Sequence, residues 1–492
     1  MLCSIICRLL CRQAWKNAFR LLLPSFIADF LFPDHKSTWR LHPTSYLDGL
    51  RGIASVIVFF CHYTENNYSY LVQSYGIDKE KPSGWIQLPY LRIIFSGRPM
   101  VHIFFVISGF VLSYKPIKAV HARDLDMCYT ALSSSTFRRA FRLFGPCVAS
   151  TFIIMCLTQA GYVGKAQASW SAQFWRWKDA VFHQVAWPWA WDKDLRPPYD
   201  IHLWTIPIEF AHSMLLFMVI LMLSRVRLRI RQAMVFGLMT YCLACGKWAG
   251  FEFLGGLFLA EIHILQHAQD PKEWEKSEEV QTSRKRLLGS MKTALCVGVI
   301  LVGMFVGGWP NRNADKTPGI RYFLARTPLP FAKMENQAPQ KYWFGLSAVF
   351  IVWSVGELAT LKRFFEGPLA QYCGRISYAV YIVHGLALGM FERRILGRPF
   401  VPASGTPGAP GFKEAVAGWG VKGYVGVVNT TQMTVGWFVG LCILGPMVIW
   451  AADLFWRAID DPIVRLGRKL ELACVDDAEK GSSRNQSYSI MA

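Results

Sequence analysis

The chain has 492 residues, of which 53% are hydrophobic and only 17% charged, with a formal net charge of +20. A soluble protein of this length carries about 25% charge, so the composition argues against a soluble enzyme and for a polytopic membrane protein. The basic excess lies mostly between apolar blocks, where retention on the cytoplasmic side accounts for it. No zinc-finger spacing or RNA-binding signature accompanies it, so nucleic acid is not the expected partner.

Residues 1–45 read as a basic amphipathic arm at the membrane interface. Arg8, Arg12, Lys16 and Arg20 recur every four residues and interrupt any signal-peptide core. Cys3, Cys7 and Cys11 share that spacing and read as membrane-facing thiols, with S-acylation the sharper alternative. The other cysteines are scattered in or beside apolar blocks, as small buried side chains. Cys242 and Cys245 form a lone CxxC without histidine ligands nearby, so no metal is expected.

Ten apolar blocks follow, near 47–64, 94–114, 143–163, 202–223, 232–248, 250–266, 291–308, 343–360, 376–392 and 433–456. They predict an all-α bundle of about ten spans over residues 46–470. The fifth and sixth are short and nearly contiguous, as in a hairpin or a broken helix. Lys115, Lys118, Arg123, Arg138, Arg139 and Arg142 precede the third block, and Arg225, Arg227, Arg229 and Arg231 follow the fourth. With the basic arm, they place both termini in the cytoplasm. Two outer loops stand out. Residues 165–201 cluster tryptophans suited to the interface or to sugar stacking, and 397–428 are rich in Gly and Pro. Residues 471–492 form a polar tail without a core-forming pattern.

Ionisable side chains inside spans are expensive and mark function by default. Arg51 and His62 lie eleven residues apart in "YLDGLRGIASVIVFFCHY", on one helix face and about 16 Å apart along the axis. Glu209 sits about two turns inside the fourth block, at a depth matching His62. A carboxylate facing an imidazole can hold its tautomer and stabilise the imidazolium, which makes His62 a general base. Arg139 and Arg142, three residues apart, form with Arg51 a cationic mouth suited to phosphates. Ser108-Gly109 breaks the second block, equally as a close helix contact or a functional position. His384 is buried beside Tyr378 and Tyr381 in the ninth.

Together these segments resemble the acyltransferase 3 family of integral membrane O-acyltransferases. The family's basic residue, ten intervening residues and histidine appear as Arg51 and His62, and its "FFxISGF" as residues 104–110. Its Arg-x-x-Arg is Arg139 to Arg142, and its Trp-Ser-Leu-x-x-Glu is Trp204 to Glu209, with Thr205 and Ile206 departing from it. Its late Ser-Tyr-x-x-Tyr-x-x-His is "SYAVYIVH", ending at His384. The resemblance implies transfer of an acyl group, commonly acetyl, from cytoplasmic acyl-CoA to a hydroxyl of a carbohydrate, lipid or small metabolite. His62 would activate that hydroxyl and Glu209 would orient His62. Arg51, Arg139 and Arg142 would hold CoA, and Ser108, Trp204, Tyr381 and His384 would support the site. The rival reading is a transporter or flippase that uses His62, Glu209 and His384 as a proton relay or substrate site.

Overall fold

The computed structural model describes residues 22–31, 41–77, 83–268, 283–334, 338–397, 421, 425 and 429–475. The cysteine-bearing start of the basic arm, almost all of the 397–428 loop and the end of the polar tail lie outside the described residues. Helices, short 3-10 and π turns and loops make up the rest, with no strand among the described residues.

The helices are α1 (Ser25–Leu31), α2 (Ser45–Asn67), α3 (Arg98–His121), α4 (Leu125–Gln159), α5 (Trp170–Ala180) and α6 (Thr205–Leu223). Then come α7 (Leu228–Ala244), α8 (Trp248–Ala268), α9 (Ser283–Gly307), α10 (Ile320–Ala325) and α11 (Ala338–Glu357). The last are α12 (Ala359–Phe365), α13 (Pro368–Leu396), α14 (Thr430–Phe455) and α15 (Asp461–Cys474). Local chemistry sets several starts. Asp124 accepts from the Met127 amide at α4, Asn429 from Gln432 at α14, and Pro368 opens α13 where its missing N–H costs nothing.

All ten apolar blocks fall on helices. Six described helical segments are long and apolar enough to cross a membrane, or seven if the bent pair α11 and α12 counts as one span, with its 97° bend. The expected ten is therefore not reached on length and apolarity. The shortfall has a physical cause. α7 is only 17 residues long and opens on Arg229 and Arg231. α2 carries Asp48, Arg51, His62 and Glu65, and α13 carries Gln371, Arg375, His384 and Glu392. The polar residues that suggest chemistry are those that lower hydropathy. The fifth and sixth blocks are separate helices, α7 and α8, joined by a turn in which Gly246 takes a φ of 71°.

The chain divides into two compact units. The first comprises Met1–Phe104, Tyr162–Gly164 and Gln281–Trp456; the second comprises Phe105–Gly161, Lys165–Val280 and Arg457–Ala492.

In the first unit α2 presses against α12 and α13 at two glycines. A Cβ on Gly52 would lie 2.2 Å from the Gly374 amide nitrogen, and one on Gly49 would lie 1.9 Å from the Phe365 carbonyl oxygen. Only glycine permits this approach, which explains the "DGLRG" spacing. α1 is tied to the same unit by Asp453 on α14. That fully buried carboxylate accepts from the Ser25 amide at 3.0 Å, the Ser25 hydroxyl at 2.5 Å and the Tyr372 hydroxyl at 2.8 Å.

In the second unit α3 and α8 cross through Gly109 and Gly256. A Cβ on either would come within 2.2 Å of a carbonyl oxygen of the other helix, that of Phe253 or Val106. The Ser-Gly break in the second block thus marks close packing at Gly109. α4 is 35 residues long, about 52 Å against a hydrocarbon core of about 30 Å, so its basic first half extends beyond the apolar stretch. α15 covers that half. Arg138 pairs with Glu471 at 3.0 Å, and Gly467 faces Phe141.

Candidate active site

In the first unit the close approach of α2 to α13 places Arg51 over the start of α13. Its Nε donates to the Ser377 hydroxyl at 3.1 Å and Nη2 to the Gly374 carbonyl at 3.4 Å, while Asp48 pairs with Nη2 at 2.9 Å. The guanidinium is therefore fixed in direction but still about one third exposed. Three turns along the same two helices, the His62 ring stacks on His384, with centroids 5.2 Å apart and planes 20° from parallel. His384 is fully buried. Its Nδ1 lies 3.1 Å from the Val380 carbonyl, so the tautomer that donates there leaves Nε2 as the acceptor. Tyr381, also buried, lies against His384 with ring centroids 6.0 Å apart.

His62 is about 30% exposed, and Glu65, one turn further on, brings a carboxylate oxygen to 3.8 Å from Nδ1. Glu65 is itself held by the Asn311 side-chain amide and by Arg98 at 3.5 Å. These three residues were not singled out by sequence. Glu65 was within reach, since i and i+3 share a helix face, but Asn311 is 246 positions away and gives no local signal.

In the second unit Glu209 is the centre of a polar cluster. Its Oε1 accepts from Arg139 Nη2 at 2.7 Å and from the Ser108 hydroxyl at 2.9 Å. Arg139 Nε donates to Ser213 at 3.0 Å, one turn beyond Glu209 on α6. Arg139 is buried, whereas Arg142, one turn along α4, is exposed. The two members of Arg-x-x-Arg thus do different things: one is paired inside the unit and the other faces outward. Trp204 is half-buried at the end of the 3-10 turn Ile201–Trp204 that leads into α6. His121 lies 3.1 Å from Glu261, which also accepts from Arg231 at 2.8 Å.

Every segment that carried the resemblance is now placed on a helix. The acyltransferase 3 family model, described as an acyltransferase domain, matches residues 44–457. The chain belongs to this family. It is 32% identical over 406 residues to the O-acetyltransferase PaAT-1 of Phomopsis amygdali, covering 74% of this chain and 76% of that protein. It is 24% identical over 473 residues to the acyltransferase R4 of a Phoma species, covering 85% and 94%. It is also 24% identical over 498 residues to the acyltransferase clz18 of Cochliobolus lunatus, covering 89% and 96%. No solved structure matches. The protein is an acyltransferase, and the comparisons support an O-acyltransferase. Its long apolar helices make it an integral membrane enzyme.

Between α2 and α3 this acyltransferase buries a further cation. Arg92 donates Nη1 to the Ser74 hydroxyl at 2.9 Å and Nη2 to the Val72 carbonyl at 3.2 Å. Burial pushes its guanidinium down to about 10, which leaves it charged at neutral pH.

Proposed function

We propose that this acyltransferase moves an acetyl group from cytoplasmic acetyl-CoA to a hydroxyl of a carbohydrate, lipid or small metabolite. The observation that carries the reading is the pair Arg51 and His62 on α2, each engaged by α13 and separated by about 16 Å along the helix. CoA has its charges at one end and its thioester at the other, joined by a flexible arm, which suits that separation.

In this mechanism His62 takes the proton of the acceptor hydroxyl as its oxygen attacks the thioester carbonyl. The new C–O bond forms, the C–S bond breaks, and the imidazolium returns the proton to the departing sulfur. The products are the acetyl ester and CoA. Imidazole is the side chain suited by its chemistry to take and then return a proton in such a transfer. Stacking on His384 fixes the ring plane, and Glu65 places negative charge beside it as it becomes cationic. Arg51 binds the CoA phosphates. Arg139 is aligned by Glu209 and Ser108, which makes Glu209 a positioning residue in our reading. The transporter alternative finds no observation in its favour.

The site logic requires α2, α7 and α13 to cross the bilayer with the seven apolar segments that result when α11 and α12 count as one span, giving ten spans and cytoplasmic termini. α2 has 23 residues and α13 has 29, each long enough for a core of about 30 Å. Cysteine-accessibility mapping from both sides of sealed vesicles tests the topology. For the chemistry, the test is acetyl transfer by the His62→Ala protein in liposomes. We expect a loss of at least about 100-fold with acetyl-CoA binding retained. Near-normal turnover would remove His62 as the base.

A further inference from the structure

In the second unit α5 and the π turn Val181–Val185 that continues it present three distinct faces. Gln173, Ala180 and Val181 are buried, with Trp177 half-buried among them. Trp170, Phe174, Trp175 and Phe182 are all exposed on a second face. Arg176, Asp179 and His183 are exposed on a third, where His183 Nδ1 lies 3.0 Å from Asp179.

The buried face sets where α5 sits. Gln167, just ahead of the helix, donates its amide to Gln159 at 3.2 Å and to Gln173 at 3.1 Å, which holds the start of α5 at the last turn of α4. Trp177, one turn further on, donates Nε1 to the Thr151 hydroxyl at 3.2 Å, and its ring meets Phe152 edge-on with centroids 5.2 Å apart. Thr151 comes eight residues before Gln159, about 12 Å along the α4 axis. α5 therefore lies beside the last two turns of α4 rather than above its end. Those turns, "TFIIMCLTQ", belong to a segment long and apolar enough to cross a membrane. Phe152 is itself exposed there, and Phe174 packs on Trp177 at 5.6 Å, so the aromatic face of α5 continues the apolar surface of that segment.

Four exposed aromatic side chains on one side of a short helix are unfavourable in water. Beside the flank of a span they meet lipid, and tryptophan favours the boundary between acyl chains and headgroups. A cation completes the pattern. Lys178 Nζ lies 4.5 Å from the centre of the Trp175 ring and 5.9 Å from that of Phe182. Its apolar stem can follow the rings while the ammonium reaches the headgroups. A charged face opposite an aromatic one is the pattern of a helix seated in the membrane interface.

We propose that α5 is an interfacial helix set into the bilayer leaflet at the Gln159 end of α4, where it binds phospholipid. The acyl chains lie against Trp175 and Phe182 and the phosphate lies at Lys178. The tryptophans of α5 are then a lipid contact and not a platform for stacking sugars.

The test puts the photoreactive residue p-benzoylphenylalanine in place of Trp175 or Phe182, or of Asp179 as the control, in the full chain in phosphatidylcholine nanodiscs with maltoheptaose in solution. All three positions are exposed, and an unchanged Tm checks the fold. After irradiation, mass spectrometry of the intact protein should find lipid adducts at least about fivefold more abundant from the first two positions than from the third, and no saccharide adduct. In detergent micelles doped with equal amounts of phosphatidylcholine and the matching diacylglycerol, the probe at Trp175 should favour the phospholipid about fivefold, and Lys178→Gln should remove that preference. Equal lipid labelling at all three positions, no lipid adduct at the first two, or saccharide adducts there would overturn the interfacial seat. Equal labelling by phospholipid and diacylglycerol, or a preference that survives Lys178→Gln, would overturn the phosphate contact.

Discussion

Replacing Gly52 by alanine tests the contact that sets Arg51 and His62 in place. The new Cβ would sit 2.2 Å from the Gly374 nitrogen and 2.5 Å from the Cys373 carbonyl carbon, both backbone atoms that no rotamer change can move. Ordinary contact begins near 3.4 Å, so α2 and α13 must part by about 1.2 Å. The Arg51 to Ser377 hydrogen bond, now 3.1 Å, would then stretch to about 4.3 Å and be lost. Overpacking of this kind costs about 1–3 kcal/mol, and the lost hydrogen bond adds about 1 kcal/mol. Thermal unfolding in detergent should show a lower Tm. Steady-state kinetics should show a KM for acyl-CoA raised several-fold, because the displaced cation is the one we assign to CoA. A Gly52→Ala protein with wild-type Tm and KM would refute the close approach and the positioning argument built on it.

Other changes probe the remaining clusters. Arg139→Gln or Glu209→Gln alone leaves a largely buried charge without its partner and should cost about 3–5 kcal/mol, whereas the double variant should recover much of it; a double-mutant cycle on thermal stability measures the coupling. Arg142→Gln, at an exposed position, should leave stability within about 0.5 kcal/mol of wild type and weaken CoA binding, the role the family resemblance implies for it, which calorimetry reads separately. Asp453→Ala strands the Ser25 and Tyr372 donors and should destabilise by about 1–3 kcal/mol; faster proteolytic cleavage near Ser25 than in the wild type is the accompanying sign.

Much of this was legible in the chain because it is local. Ten apolar blocks gave ten helices at nearly their positions, and the eleven-residue spacing of Arg51 and His62 is a property of one helix. Glycines 49, 52 and 109 could be read as small residues, but not which backbone each meets, since Gly374, Phe365 and Phe253 are far away in sequence. The same limit hid the cluster of Glu209. Matched depth suggested His62 as its partner, whereas within its own unit the carboxylate accepts from Arg139, 70 residues away, and from Ser108. Arg139 and Arg142 looked equivalent by spacing, and packing separates them into a buried ion-pair member and an exposed cation. The span count fell short for a reason the sequence already contains. The polar groups that carry the proposed chemistry sit on α2 and α13, and they dilute the apolarity by which a span is recognised.

A cryo-EM map of the full chain with a hydrolysis-resistant acetyl-CoA analogue tests the central claim most directly. The account predicts CoA phosphates at Arg51 and the acyl carbonyl within reach of the His62 ring, about three helical turns away. CoA density at another part of the molecule, or none at saturating analogue, would contradict it.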